Sequence, residues 1–152
     1  MVATLRKPEV LANLESKYSE DKLLVLKVDV NRESDITAAF DKTKDVFGHI
    51  DVVFNNAGWV SVGEAEGMPD DVARAQFDTN FFGAANVSRA ALKFFREVNK
   101  PGVGGTLVQV SSIALYQPYP AFAYYSARYV LHDCIWRCYV KLIFHRLVNS
   151  VG

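Results

Sequence analysis

The sequence predicts an α/β fold with a doubly wound parallel sheet. Its hydrophobicity within four short segments is continuous rather than alternating, which is typical of parallel strands buried on both faces. Amphipathic helical patterns separate these segments, and that alternation favours right-handed crossovers. The four predicted strands, most of them rich in β-branched residues, are Val2 to Leu5, Leu23 to Val28, Ile50 to Phe54 and Thr106 to Val110.

Three helical patterns connect the strands. The first begins near Pro8, a residue that is favoured in the first turn of a helix. The second carries an apolar stripe from Ile36 to Phe47 and stops at Gly48. The third is longer, from about Asp70 to Val98, with apolar residues at the helical period. With a last helix after the fourth strand, the predicted order is β-α-β-α-β-α-β-α.

Composition and charge exclude several classes of function. The 152 residues contain 17 Lys and Arg against 17 Asp and Glu, so no net field attracts nucleic acid or an anionic membrane. The two cysteines, Cys134 and Cys138, are too few for a disulfide framework. We expect neither a secretory leader nor a membrane span, because the first ten residues have no long apolar core and no run of ~20 apolar residues occurs. We therefore expect a cytoplasmic protein whose partner is a small molecule or another protein.

Polar residues follow the predicted strands, at the edge of an open sheet where ligands bind. Asp29 comes after the second strand, and Asn-Asn-Ala-Gly at 55 to 58 comes after the third. Ser112 follows the fourth strand, and Tyr125 stands 13 residues further on. The segment FDTNFFG at 77 to 83 lies within the long helical pattern.

Together these motifs resemble the short-chain dehydrogenase/reductase family, classical type. The resemblance covers residues 1 to about 127 and rests on several motifs that occur in the family's order. It implies a partial NAD(P)-binding Rossmann-like domain over 1–127, followed by an atypical C-terminal tail over 128–152. The implied activity is NAD(P)-dependent oxidoreduction of a carbonyl or a secondary alcohol.

Three residues match the family's catalytic positions. Tyr125 resembles the catalytic acid/base, and Ser112 the serine that orients the substrate oxygen. Asn80 resembles the asparagine that supports the helix and a proton-relay water. A structural role for Asn80, holding a bend in the helix, is an alternative that stays open.

Five residues match positions that border the family's cofactor, which is NADP or NAD. Asp29 resembles the aspartate that contacts the adenine, and it could equally cap the following helix. Asn56, Ala57 and Gly58 match the turn whose backbone approaches the cofactor. Arg6 follows the first strand, where the family often places a cation for the 2′-phosphate, which favours NADP. A solvated arginine at a strand end is the alternative.

The sequence departs from the family in two places. The family's glycine-rich turn, TGxxxGxG, occurs nowhere in the 152 residues, and VATLR at 2 to 6 resembles the family's second strand. The resemblance therefore implies a doubly wound sheet that lacks its first strand and its C-terminal strands. The family's lysine belongs at position 129, which is Tyr129. Arg128 can reach Tyr125, although a planar guanidinium differs from a compact ammonium.

Two further interpretations follow from these departures. The chain is an oxidoreductase impaired by truncation or, alternatively, a non-catalytic fragment that pairs with a full-length relative or an unstable translation product. Homo- or hetero-oligomers with such relatives are the partners we expect, together with a small carbonyl or alcohol. We expect no bound metal, because the zinc-type ligands lack a familiar turn spacing; they are His132, Cys134, Cys138 and His145.

Overall fold

The structure, a computed structural model, describes residues 1–117, 119–131 and 133. It has four strands in this part of the chain, and each lies within or next to a predicted strand. They are β1 (Val2–Leu5), β2 (Leu24–Lys27), β3 (Val52–Asn55) and β4 (Thr106–Gln109). The predicted α/β class is confirmed. The residues His132, Cys134, Cys138 and His145, with most of the 128–152 tail, lie outside the described residues.

The helices follow the predicted order. A 3-10 turn, Pro8–Leu11, leads into the short helix α1, Ala12–Glu15. Helix α2 spans Glu33–Phe47 and ends at Gly48, whose positive φ of 73° suits a residue without a side chain. The remaining helices are α3 (Asp70–Phe77), α4 (Ala84–Glu97) and α5 (residues 123–131).

A π-helical turn interrupts the long helical pattern that the sequence predicts from Asp70 to Val98. This turn spans Asp78–Gly83 and joins α3 to α4. Such turns are rare and occur often at functional sites. The predicted single helix is therefore observed as three consecutive segments.

The strands form two parallel pairs. β1 pairs with β2, with Val2 opposite Leu24, and β3 pairs with β4, with Val52 opposite Thr106. One continuous sheet is not observed, because no described strand hydrogen-bonds to both β1 and β3. This separation agrees with the interpretation that the sheet lacks the strand between these two pairs.

The chain divides into two compact units. The strand unit comprises Met1–Ala57 and Phe82–Val110 and holds all four strands. The tyrosine unit comprises Gly58–Phe81 and the described residues from Ser111 onward. Of the helices in the described part of the chain, none has the length and apolar character needed to cross a membrane.

Helix α4 supplies the core of the strand unit. Its buried residues Ala91, Phe94 and Phe95 pack against Val53 of β3 and Leu107 of β4. Because strand side chains alternate between faces, the neighbours of these two residues point to the other face. There the apolar side chains of β3 and β4 are exposed: Val52 by 56%, Phe54 by 65% and Val108 by 36%.

Gly105 lies against the ring of Phe95 at the start of β4. A Cβ at this position would lie 2.3 Å from Cδ1 of Phe95, which is itself buried. We expect Gly105→Ala to destabilise the chain by about 1–3 kcal/mol, because the ring or the strand must move. Chemical denaturation measures the effect. In the control Gly67→Ala, the new Cβ meets its nearest atom at 3.8 Å. Equal denaturation midpoints for the two variants would contradict the close packing of Gly105 against Phe95.

Candidate active site

Asn80 lies in the π-helical turn and is almost completely buried, with 2% of its surface exposed. Its amide oxygen accepts a hydrogen bond from the backbone N–H of Trp59 at 2.9 Å. Its amide nitrogen donates to the carbonyl of Trp59 at 2.6 Å. Both ends of the amide thus fasten the loop that follows the Asn-Asn-Ala-Gly segment. This geometry is what the structural role requires.

Ser112 follows β4 and caps the 3-10 turn Ile113–Leu115. Its hydroxyl oxygen accepts a hydrogen bond from the backbone N–H of Ala114 at 3.3 Å. A hydroxyl that accepts a hydrogen bond can still donate its own proton to another group. The Ser112 side chain also interacts with Tyr125 and contributes to the lowering of the pKa of that tyrosine. The structure therefore brings these two predicted residues together.

Tyr125 lies on α5, one helical turn before Tyr129. Residues at i and i+4 share a helix face, and the two rings meet edge to face with centroids 5.0 Å apart. The hydroxyl of Tyr129 donates to the hydroxyl of Tyr125 at 3.1 Å. Phe122 contacts the Tyr125 ring from the preceding turn, at 5.8 Å. The tyrosine is thus held by packing on its own helix and by a hydroxyl donor.

Arg128 contacts both tyrosine rings. Its guanidinium carbon lies 4.4 Å from the centroid of the Tyr125 ring and 3.6 Å from that of Tyr129. One of its terminal nitrogens donates to the hydroxyl of Tyr129. Arg128 and Tyr129 are each only 5% exposed. A cation therefore lies beside Tyr125 even though Tyr129 occupies the position of the family lysine.

These contacts shift the pKa values of the two tyrosines in opposite directions. For Tyr125, burial raises the pKa, but hydrogen bonds from Tyr129 and Ser112 and the positive charge of Arg128 outweigh it, so the pKa falls below its ordinary value. For Tyr129, burial raises the pKa to about 12, and the hydrogen bond to Tyr125 adds to the effect. Tyr125 is therefore the hydroxyl that loses its proton first.

The residues predicted to border a cofactor belong mainly to the strand unit. Arg6 is exposed and follows β1, and Asp29 follows β2, so both lie beyond the carboxyl ends of paired strands. One carboxylate oxygen of Asp29 accepts from the backbone N–H of Asn31 at 3.0 Å. This contact stabilises the turn before α2 and is not a helix cap, because the N-cap residue of α2 is Arg32 and no side chain caps it. Its backbone N–H donates to the carboxylate of Asp35 at 3.0 Å.

The Asn-Asn-Ala-Gly segment is anchored by a buried network that the sequence interpretation missed. Asn55 donates to the carbonyl of Ala84 at 2.9 Å and to the side chain of Gln109 at 3.0 Å. Gln109 in turn donates to the hydroxyl of Ser88. The signal was available, because the polar Asn55 ends one apolar strand and the polar Gln109 lies within another predicted apolar strand. Asn56, Ala57 and Gly58, the next residues, are exposed.

Comparison with known proteins identifies the family. The family described as short chain dehydrogenase matches residues 1–128 of the chain. This chain belongs to the short-chain dehydrogenase/reductase family. An oxidoreductase of Schizosaccharomyces pombe is 36% identical over 127 residues, which are 84% of this chain and 41% of that protein. The family assignment made from the motifs is therefore confirmed.

Solved structures of short-chain dehydrogenases share the fold. One from Streptomyces avermitilis has a TM-score of 0.77 at 28% identity, covering 88% of this chain and 47% of that one. The closed form of serine dehydrogenase complexed with NADP⁺ has a TM-score of 0.77 at 26% identity, covering 88% and 52%. The chain thus spans about half the length of these relatives.

Proposed function

We propose that this chain carries the proton-transferring residues of an NAD(P)-dependent oxidoreductase that acts on a carbonyl or a secondary alcohol. The family and its oxidoreductase relatives support the reaction class. The observation that carries the proposal is the environment of Tyr125. Its hydroxyl accepts a hydrogen bond from Tyr129 and interacts with Ser112, and a buried guanidinium lies beside its ring.

Tyr125 is suited to both directions of such a reaction. Reduction of a carbonyl produces an alkoxide that must gain a proton, and oxidation of an alcohol requires a base. A tyrosine hydroxyl can supply the proton and its phenolate can accept one. Near neutral pH the phenolate needs stabilisation, and the contacts that lower the pKa of Tyr125 act in that direction. We assign to Ser112 a hydrogen bond to the substrate oxygen. We assign to Asn80 the roles of holding the loop and supporting a relay water.

We assign five residues to the dinucleotide-binding site: Arg6, Asp29, and the turn Asn56, Ala57 and Gly58. This turn is exposed directly after β3, so its backbone is accessible to a ligand. The nicotinamide would supply or accept the hydride. The exposed guanidinium of Arg6 suits a 2′-phosphate and favours NADP over NAD. The complex of serine dehydrogenase with NADP⁺ is consistent with this choice.

A second candidate is a non-catalytic chain that pairs with a longer relative. The exposed apolar face of the β3–β4 pair, with Val52, Phe54 and Val108, favours it. Soluble monomers seldom leave such side chains adjacent and uncovered. A longer chain of the same family is the partner we assign to this face in that case, which makes an oligomer with a full-length relative the expected assembly.

An extended chain tests the proposed function. It consists of residues 1–131 preceded by the family's first strand and TGxxxGxG turn, and followed by the C-terminal segment of a family member. We expect NADPH oxidation with a panel of small aldehydes and ketones, measured by the loss of NADPH absorbance. Because the added C-terminal segment brings its own substrate preference, the panel includes the known substrates of its donor. An extended chain that folds and binds NADPH but turns over none of them would favour the second candidate.

A further inference from the structure

We propose that Arg128 and Tyr129 act as a positioning pair for Tyr125. The guanidinium of Arg128 orients the Tyr129 hydroxyl, and the oriented hydroxyl donates to the Tyr125 oxygen and stabilises the Tyr125 phenolate. This inference deepens the proposed function, on which it rests for the catalytic use of Tyr125. It concerns Tyr129, which occupies the position of the family lysine, and its neighbour Arg128.

The hydrogen bonds run in one direction, from Arg128 to Tyr129 and from Tyr129 to Tyr125. Arg128 has only donors, so the Tyr129 oxygen must accept its hydrogen bond. The proton of Tyr129 is then left to donate to Tyr125, where the two oxygens are 3.1 Å apart. The guanidinium thereby polarises the Tyr129 hydroxyl towards the oxygen of Tyr125, and its positive charge also lowers the pKa of Tyr125 directly. That oxygen receives a donor whether it is protonated or ionised.

Burial makes the cation effective. Arg128 is 5% exposed, so solvent and salt screen its charge poorly. The loss of solvent lowers the pKa of Arg128, whereas Tyr129 and Tyr125 favour its charged form. Its Nε has no hydrogen-bond partner among the described residues. A buried cation with an unused donor is stabilised by an adjacent negative charge, and ionised Tyr125 supplies one.

The ring contacts fix the guanidinium in place. A guanidinium stacks on aromatic faces, and Arg128 lies over both rings, at 4.4 Å from Tyr125 and 3.6 Å from Tyr129. Arg128 and Tyr129 follow Tyr125 by three and four residues, so one turn of the helix brings both side chains next to Tyr125. The other group that lowers the pKa of Tyr125 is the Ser112 hydroxyl, from the loop after β4. No carboxylate acts on Tyr125 in the described part of the chain.

A pH titration of Tyr125 tests the pair in the full chain, without cofactor or substrate. Tyrosines labelled with ¹³C at Cζ report ionisation by NMR, and Tyr125→Phe assigns the signal. We expect Tyr125 to ionise below its ordinary pKa of 10.0. Removal of the cation in Arg128→Met favours the neutral tyrosine, so the pKa rises by about one unit or more. The conservative Arg128→Lys retains a charge and restores part of the shift.

The hydroxyl of Tyr129 is tested by a variant that keeps the ring. Tyr129→Phe removes the donor and leaves the packing, so we expect the pKa of Tyr125 to rise in this variant also. If the two residues act as one unit, Arg128→Met with Tyr129→Phe raises the pKa by less than the sum of the two single shifts. Additive shifts would show two independent effects and overturn the pair.

Circular dichroism verifies the native fold of each variant. If Arg128→Met loses its native spectrum, Tyr129→Phe and Arg128→Lys decide the question. A Tyr125 signal that titrates unchanged in natively folded Tyr129→Phe overturns the proposal. Since the titration needs no turnover, an inactive extended chain would reject the proposed function and leave the pair standing. An active extended chain with an unchanged titration would reject the pair alone.

Discussion

In the extended chain, Tyr125→Phe lowers kcat for carbonyl reduction by about 10²–10⁴-fold, the range that a positioned acid or base contributes. The variant removes the hydroxyl that receives hydrogen bonds in the site and keeps the ring that packs against Phe122 and Tyr129. We therefore expect NADPH binding to be unchanged. Steady-state kinetics and a binding isotherm on the same preparation separate the two effects.

The matched control is Tyr124→Phe. Tyr124 precedes Tyr125 on α5, and its exposed hydroxyl donates only a long hydrogen bond, 3.5 Å, to the carbonyl of Ala65. The same chemical change at this position should leave kcat within about twofold, in keeping with the small effects of surface substitutions. Equal turnover by the Tyr125→Phe and Tyr124→Phe enzymes would show that Tyr125 is not the proton-transferring residue.

The pH dependence follows from the lowered pKa of Tyr125. Alcohol oxidation uses the phenolate as base, so its rate rises with pH and levels off above the pKa of Tyr125. Because that pKa lies below the ordinary value of 10.0, the rise occurs at lower pH than it would with an ordinary tyrosine as the base. In Arg128→Met the pKa rises, and the whole profile moves to higher pH. Tyr129, with a pKa of about 12, remains protonated across this range.

The strands could be predicted because the apolar segments are short and continuously hydrophobic, which is typical of parallel strands buried on both faces. Each observed strand lies within two residues of its predicted bounds, and Gly48 ends α2 as predicted. The π-helical turn could not be predicted, because apolar residues keep the helical period across it. The hydrogen bonds between Asn80 and Trp59, which the sequence does not reveal, show that the turn is held from outside the helix.

The residue types of the candidate site were chosen from the sequence and stay a prediction, whereas its contacts come from the structure. Spacing placed Ser112 and Tyr125 beyond one strand, and the structure brings them together. The interaction of Arg128 with two rings depends on side-chain directions that a sequence pattern does not contain. From the sequence, Tyr129 marked a missing lysine. In the structure it is a hydroxyl donor, an assignment that requires the distance to Tyr125.

The chain of 152 residues and the extended chain should differ strongly in their affinity for a dinucleotide. The sequence contains no TGxxxGxG, the turn whose backbone N–H groups hold the pyrophosphate. Hydrogen bonds to charged groups contribute about 1.5–3 kcal/mol each, so the lack of several weakens binding by about a thousandfold or more. We expect calorimetry to detect no saturable binding of NADPH or NADH at micromolar concentrations for this chain.

The extended chain should bind NADPH at micromolar concentrations, because the added turn supplies those donors. Replacing its glycines with valine blocks the approach of the backbone to the pyrophosphate and should abolish the gain, which provides the control. Arg6→Ala in the extended chain should weaken NADPH binding and leave NADH binding unchanged, because only NADPH carries the 2′-phosphate. Equal losses for both would reject Arg6 as the phosphate ligand. A micromolar isotherm for the 152-residue chain itself would show that Asp29 and the exposed turn at 56–58 hold the dinucleotide without the glycine-rich turn.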